Sequence, residues 1–369
     1  MRVAVVGAGV VGMATAAELV RAGVDVTCFE RAAAGGPGGL SAAVMGERSA
    51  GSSRIFRLAH VDPDLVRLAV RARDGFAAWT RRAGRPTVHE HCCVVSGGDA
   101  AERAAAMEHV GAACALVEPD DPRLRLPGPV SAGPVLVDPA GGVVDVDAVR
   151  ALLVAEAGHA VVPAVVDALD VRGTGVAVRT ADGGGAARFD AVVLAAGAGT
   201  PALAAQVGVD LPAGLVHHAR FTFPFAEPAA GGARWASWID TPDPGTGEGG
   251  GAGLATYQHR SGPGRWAVGG TVDPALVAWE VGRDAAVAAS REVVLAHVRE
   301  RLAVQPEVVE TLYCHHTPDT GDGITVRRAG PVVAVHGENL MKFAPVLGAM
   351  LAGAATDGST PTVREAALR

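Results

Sequence analysis

The first thirty residues constrain the fold more than any other segment. Arg2-Val3-Ala4-Val5-Val6 is an apolar run that leads directly into Gly7-Ala8-Gly9-Val10-Val11-Gly12. Met13 to Arg21 has helix-forming composition and ends before Gly23, and Val24 to Phe29 is a second strand-like run closed by Glu30. Strand, glycine turn, helix, strand and acid in that order make a complete βαβ unit for a dinucleotide. Gly7 permits the tight turn, Gly9 lets the backbone approach a pyrophosphate, and Gly12 lets the helix pack closely on the strand. Val10 and Val11 open the helix, whose first N–H groups and partial positive charge favour phosphate. Glu30 stands where a carboxylate accepts hydrogen bonds from an adenosine ribose, and Arg31 follows it.

At 369 residues the chain is long enough for two domains. It is 49% hydrophobic and 19% charged, the balance of a well-packed globule. A net charge of -7 argues against nucleic acid as a partner. Five cysteines, odd in number and unevenly spaced, argue against a disulfide framework and fit a cytoplasmic protein. The N-terminal apolar run reads as the nucleotide-binding strand rather than a signal peptide. The uncharged run from Ala191 to Val209 contains Gly197, Gly199 and Pro201, so it reads as a buried strand, a glycine turn and a short helix rather than a membrane span. The chain has 31 arginines and one lysine, Lys342. Where arginine serves at every other cationic position, a lone lysine marks either a place that a guanidinium does not fit or a solvated surface position left by chance.

Helical spacing runs from Asp64 to Arg81, from Val144 to Glu156, from Ala285 to Leu302 and from Phe343 to Ala355. Strands are expected at His89–Ser96, Val165–Val171, Gly175–Thr180, Phe189–Ala195 and Val332–Val335. Phe221, Phe223, Phe225, Trp235, Trp238, Trp266 and Trp279 cluster in sequence around a loop from Asp243 to Gly253, which points to a second domain with an antiparallel sheet. In His89-Glu90-His91-Cys92-Cys93, strand alternation would turn His89, His91 and Cys93 to one face. No second ligand pair accompanies them, and no metal site is expected.

These blocks, in order, resemble the FAD-dependent amine oxidases of the monomeric sarcosine oxidase and N-methyltryptophan oxidase group, within the D-amino-acid oxidase family. The likeness is carried by the fingerprint, Gly51-Ser52-Ser53-Arg54-Ile55-Phe56-Arg57, the small-residue turn at Ala195 to Pro201, Cys314-His315-His316-Thr317-Pro318-Asp319, and Lys342-Phe343-Ala344-Pro345. The resemblance implies an α/β fold with a discontinuous FAD-binding Rossmann-like domain (residues 1–87, 143–212 and 317–369). An antiparallel-sheet substrate domain (88–142 and 213–316) completes it. It implies one FAD per chain and oxidation of a C–N bond in an amine, N-substituted amino acid or aminoacyl group, with oxygen reduced to hydrogen peroxide. A tailoring step in antibiotic biosynthesis is a close variant, and transfer of electrons to a carrier is the alternative. A monomer or weak dimer with no membrane partner is expected.

The resemblance also gives roles. Arg54 lies over the flavin ring, Arg57 and Lys342 hold a substrate carboxylate, and Tyr257 takes the place of an active-site tyrosine. Ser53, Ala196, Gly197, Leu340 and Met341 join the fingerprint around the cofactor, and His259 and His316 are candidates to line the substrate cavity. Three departures follow. The position expected for a flavin-linking cysteine, counted back from Asp319, is Leu312; Cys314 falls two residues late, which leaves both covalent and noncovalent FAD open. The stretch Arg265 to Gly270 lacks the family's oxygen-activating lysine and offers only Arg265 as a cation. The glycine-rich run before the terminal lysine reads Glu338-Asn339-Leu340-Met341, so a rearranged loop is expected there.

Overall fold

A computed structural model describes residues 1–31, 44–122, 124–130, 133–183, 185–226, 235–242, 253–318 and 323–368. Asp319 and positions 243–252 of the expected loop lie outside these. Arg2–Val6 is one of the two central strands of six, in the order Ile324–Ala329, Val332–Gly337, Ala191–Leu194, Arg2–Val6, Asp25–Glu30 and Val161–Pro163. All neighbours are parallel except the antiparallel edge strand Ile324–Ala329. Val3, Val5, Val193 and Val333 are completely buried, each contributing about 1.5–3 kcal/mol of burial. The apolar run after Leu194 is a short 3-10 turn, Gly197–Gly199, and a helix, Thr200–Ala205, as its glycines and proline indicate.

The first helix, Val10–Arg21, packs against the last long one, Ala344–Asp357. Their approach depends on small residues. A Cβ on Gly348 would lie 2.7 Å from the Cβ of Ala14. This contact brings the turn before the last helix, which carries Lys342, beside the N-terminal fingerprint.

The aromatic-rich segment builds an eight-stranded sheet, in the order Glu310–His316, Val216–Pro224, Arg265–Gly270, Thr256–Arg260, Ser237–Thr241, Cys93–Gly97, Val135–Asp138 and Ala115–Val117. It is antiparallel except at one join, where Ser237–Thr241 runs parallel to Cys93–Gly97. Phe221, Phe223, Trp238 and Trp266 are fully buried in one core with the helix Arg283–Arg301. Trp279 stands apart from that core, 45% exposed, stacked on His217 at 4.6 Å.

Three element boundaries differ from expectation. His89–Ser96 is two strands in two sheets, Val88–Glu90 and Cys93–Gly97, because Cys92 turns the chain at φ 62°. His89 and His91 still stack at 5.9 Å, while Cys93, beyond the turn, is buried in the other sheet. Phe189 closes a strand of a separate three-stranded sheet, and the main sheet begins again at Ala191. The helix expected from Val144 starts at Val146, where Asp145 caps it by accepting from the Ala148 N–H at 2.8 Å.

Candidate active site

Between the carboxyl edge of the six-stranded sheet and one face of the eight-stranded sheet lies a cavity of about 950 Å³. That is the upper end of the range for cofactor and small-molecule sites, and the edge of a parallel sheet is where such ligands bind. At one end stand Gly7, Gly9, Val10, Val11, Glu30, Arg31, Ala196 and Gly197; at the other stand Arg54, Arg57, Tyr257, Cys314, Leu340, Met341 and Lys342. One space thus joins residues from both ends of the polypeptide. Gly12 and Ser53, also expected at the cofactor, do not line it.

The cradle at the fingerprint admits no larger residues. Gly7 has φ 100°, and a Cβ there would sit 2.6 Å from the carbonyl oxygen of Ala195. On Gly12 it would lie 1.9 Å from the carbonyl oxygen of Gly7, so Gly12 serves helix–strand packing rather than ligand contact. Gly9 caps the helix without a side chain, keeping that approach clear. Glu30 accepts from the Ala8 N–H at 2.7 Å, which fixes its carboxylate at the strand end. Val10 N–H is bonded to Ser49 Oγ at 3.0 Å, a tie between the fingerprint and the following loop. A glycine-lined phosphate approach with a fixed acid beside it, opening into a long cavity, fits FAD.

The far wall is made by strand register. Arg220, Gly269, Tyr257 and Ile239 lie in one cross-strand row. Gly269 makes room for its neighbour: a Cβ there would lie 2.1 Å from Cζ of Tyr257. The phenol oxygen of Tyr257 is 2.7 Å from Nε2 of His218. Burial, with the neighbouring cations, pushes His218 down to about 4, so it is neutral at pH 7. Burial pushes the Tyr257 phenol up, so it too stays neutral. Burial likewise raises the Cys314 thiol, against the opposing pull of Arg54 and Arg48.

Arg54 donates to the carbonyls of Ser53 at 2.8 Å, of Arg48 at 3.0 Å, and of Ala50. Burial lowers it to about 10, still cationic at neutral pH. Arg57 donates to the carbonyl of Ala59, whose corner is held by Asp138 accepting from Leu58 N–H at 2.6 Å. Lys342 is 5% exposed, in a 3-10 turn from Leu340 to Phe343 entered through Asn339 in the left-handed region. The non-glycine run thus makes a short helical turn.

Several lining residues escape a reading of the sequence. His218, Arg220 and His336 face the cavity, as do Arg48 and Glu338, which form an ion pair. Glu338 also accepts from the Thr317 N–H at 2.8 Å, tying the end of the strand Glu310–His316 to the Lys342 turn. His259 and His316 line the cavity as expected. Arg265, in contrast, is exposed at its strand end and does not line it.

Fold and site define a flavin-binding oxidoreductase. Residues 2–354 match the family model described as "DAO: FAD dependent oxidoreductase", and the chain belongs to that family. FAD is its cofactor. No curated protein matches the chain significantly by sequence. Among solved structures it is similar to NikD, "an unusual amino acid oxidase essential for nikkomycin biosynthesis". That match has TM-score 0.80 and 24% identity over 98% of this chain and 96% of that one. L-proline dehydrogenase from P. horikoshii follows at TM-score 0.74 and 18% identity, over 97% and 94% of the two chains. Glycine oxidase from Geobacillus kaustophilus matches at TM-score 0.71 and 17% identity, over 97% and 96%. These likenesses establish the fold. Among the described residues no helix is long and apolar enough to cross a membrane.

Proposed function

We propose that the protein oxidises a C–N bond of an amine, an N-substituted amino acid or an aminoacyl group to an imine, reducing oxygen to hydrogen peroxide. The observation that carries this reading is the charge of the cavity wall. Arg31, Arg48, Arg54, Arg57, Arg220 and Lys342 line it against Glu30, Glu47, Asp167 and Glu338. Three of those carboxylates are already paired, Glu47 with Arg31, Glu338 with Arg48 and Asp167 with Arg179. Positive potential favours a substrate carboxylate and disfavours an ammonium, so the substrate nitrogen is held as the neutral amine. Bound FAD supplies the acceptor for the hydride that such an amine gives up. Arg57 and Lys342 would orient the carboxylate, Arg54 would stand beside the bound ring, and His218, neutral and joined to Tyr257, would offer a proton acceptor.

The fingerprint residues with Ala196 and Gly197 hold the dinucleotide, and Leu340, Met341 and Lys342 hold the ring. Residues 1–87, 143–212 and 317–369 form the cofactor domain in this reading, and 88–142 with 213–316 the substrate domain. All five cysteines are free thiols, which supports a reducing cytoplasm. NikD's place in nikkomycin biosynthesis supports a tailoring role. A monomer or weak dimer is our expectation.

A second reading, electron transfer to a carrier, is favoured by the strand Arg265–Gly270, which brings no cation into the cavity. Anaerobic mixing of the FAD-loaded protein with sarcosine, glycine, proline, iminodiacetate and a bulky aminoacyl amine tests both. Bleaching of the flavin followed by rapid peroxide formation in air supports the oxidase. Bleaching with slow reoxidation supports the carrier reading, and no bleaching by any amine argues against both.

A further inference from the structure

Arg220 stands in the middle of a strand whose neighbouring residues, Ala219 and Phe221, are fully buried, and is itself 3% exposed. Its Nη1 donates to the Ser53 carbonyl at 2.9 Å and to Nε2 of His259 at 3.1 Å. Both acceptors are neutral. Its Nε and Nη2 are buried without a hydrogen-bond partner. Arg54, in the adjoining wall, spends its donors on carbonyls alone. Two guanidinium groups therefore share a water-poor wall of the cavity with no carboxylate bonded to either.

The groups facing Arg220 do not neutralise it. His259 on the next-but-one strand accepts at Nε2, so its proton is on Nδ1 and the ring is uncharged; burial and the two arginines hold it so. Tyr257 on that strand and Cys314 on the edge strand are pushed toward their neutral forms by burial. His218, on the same strand as Arg220, is neutral. Among the described residues Glu310 is the one carboxylate whose charge favours Arg220, and it accepts instead from Thr222 Oγ1 at 3.1 Å. A buried charge without a paired counter-ion is costly, and a fold keeps one where a ligand completes the pair.

We propose that Arg220 is the counter-charge for the negative charge that the isoalloxazine ring acquires on reduction. This rests on the reading of the cavity as an FAD site for amine oxidation. In that reaction a substrate C–H bond breaks, the hydride goes to the ring, and the substrate becomes an iminium cation that later releases its proton to water. The ring gains two electrons and one proton, and so one net negative charge. Arg220 lines the cavity, its bonds to Ser53 and His259 fix the guanidinium in a buried wall, and there its field is weakly screened.

Potentiometric titration of the FAD-loaded protein tests this, using wild type, Arg220→Met and Arg220→Lys across neutral pH. Arg220→Met is expected to make the bound ring at least tenfold harder to reduce, a drop of about 30 mV for a two-electron couple. Its potential should also steepen with pH, from one proton per two electrons toward two, a change that a packing defect does not produce. Arg220→Lys should keep most of the wild-type potential. An unchanged potential and pH slope in Arg220→Met with FAD bound overturns the proposal. Should neither variant hold FAD, wild type decides: uptake of one proton per two electrons around neutral pH supports it, and uptake of two overturns it. A wild-type protein that takes up no FAD at all defeats the functional reading instead.

Discussion

The phenol of Tyr257 lies across the bare backbone of Gly269, and from there its oxygen reaches His218 Nε2 at 2.7 Å. A Cβ at residue 269 would fall 2.1–2.4 Å from Cζ, Oη and Cε1 of that ring. Gly269→Ala should therefore displace Tyr257 and reproduce the kinetic defect of Tyr257→Phe, while costing about 1–3 kcal/mol of stability through overpacking. Steady-state kinetics beside chemical denaturation of both variants checks this. Full activity in Gly269→Ala would remove Tyr257 from the chemistry.

Lys342→Met and Arg57→Met should each leave FAD bound and lower kcat/KM for a carboxylate-bearing amine. Losing one charged partner of a buried ligand carboxylate costs about 2–5 kcal/mol, so a drop of roughly 100-fold is expected. An amine without a carboxylate should lose far less. Equal losses on both substrates would contradict the assignment.

Gly12→Ala should abolish FAD binding without adding any group to the cavity. Its Cβ would meet the Gly7 carbonyl oxygen at 1.9 Å and push the helix from the strand. Flavin absorbance after reconstitution and gel filtration measures it. Retention of stoichiometric FAD would show that the fingerprint tolerates separation of helix and strand.

Stability should fall on acidification. Burial lowers His218 and His297 to about 4, below the ordinary value of 6.5. The unfolded chain therefore binds protons that the folded chain refuses as pH falls from 6.5 toward 4. Stability is full above 6.5 and is lost through that window, by at most about 3 kcal/mol for a fully buried histidine. His297→Gln, remote from the cavity, should flatten the dependence. Denaturant midpoints at fixed FAD concentration, across that pH window, would reveal it.

The cofactor end was legible because most of its signals lie within the first thirty-one residues, Ala196 and Gly197 alone coming from a later turn. Lys342 was legible for a different reason, its isolation among arginines, and the packing of Gly348 on Ala14 explains how it reaches the fingerprint. Arg220 and His218 were hidden in a strand whose phenylalanines dominate its pattern, since the polar face turns to a cavity rather than to solvent. The break at Cys92 was equally hidden, because a positive φ at a non-glycine residue has no local sequence signature. Arg265, the nearest cation in sequence to the expected lysine position, is exposed. The register instead sets Arg220, one strand over, beside Gly269.

The most direct test is the absorption spectrum of the purified protein reconstituted with FAD, recorded before and after anaerobic addition of amines. The account predicts stoichiometric flavin whose visible band is bleached by at least one carboxylate-bearing amine, and bleached roughly 100-fold more slowly in Lys342→Met. A protein that binds no flavin, or whose flavin no amine reduces, would contradict it.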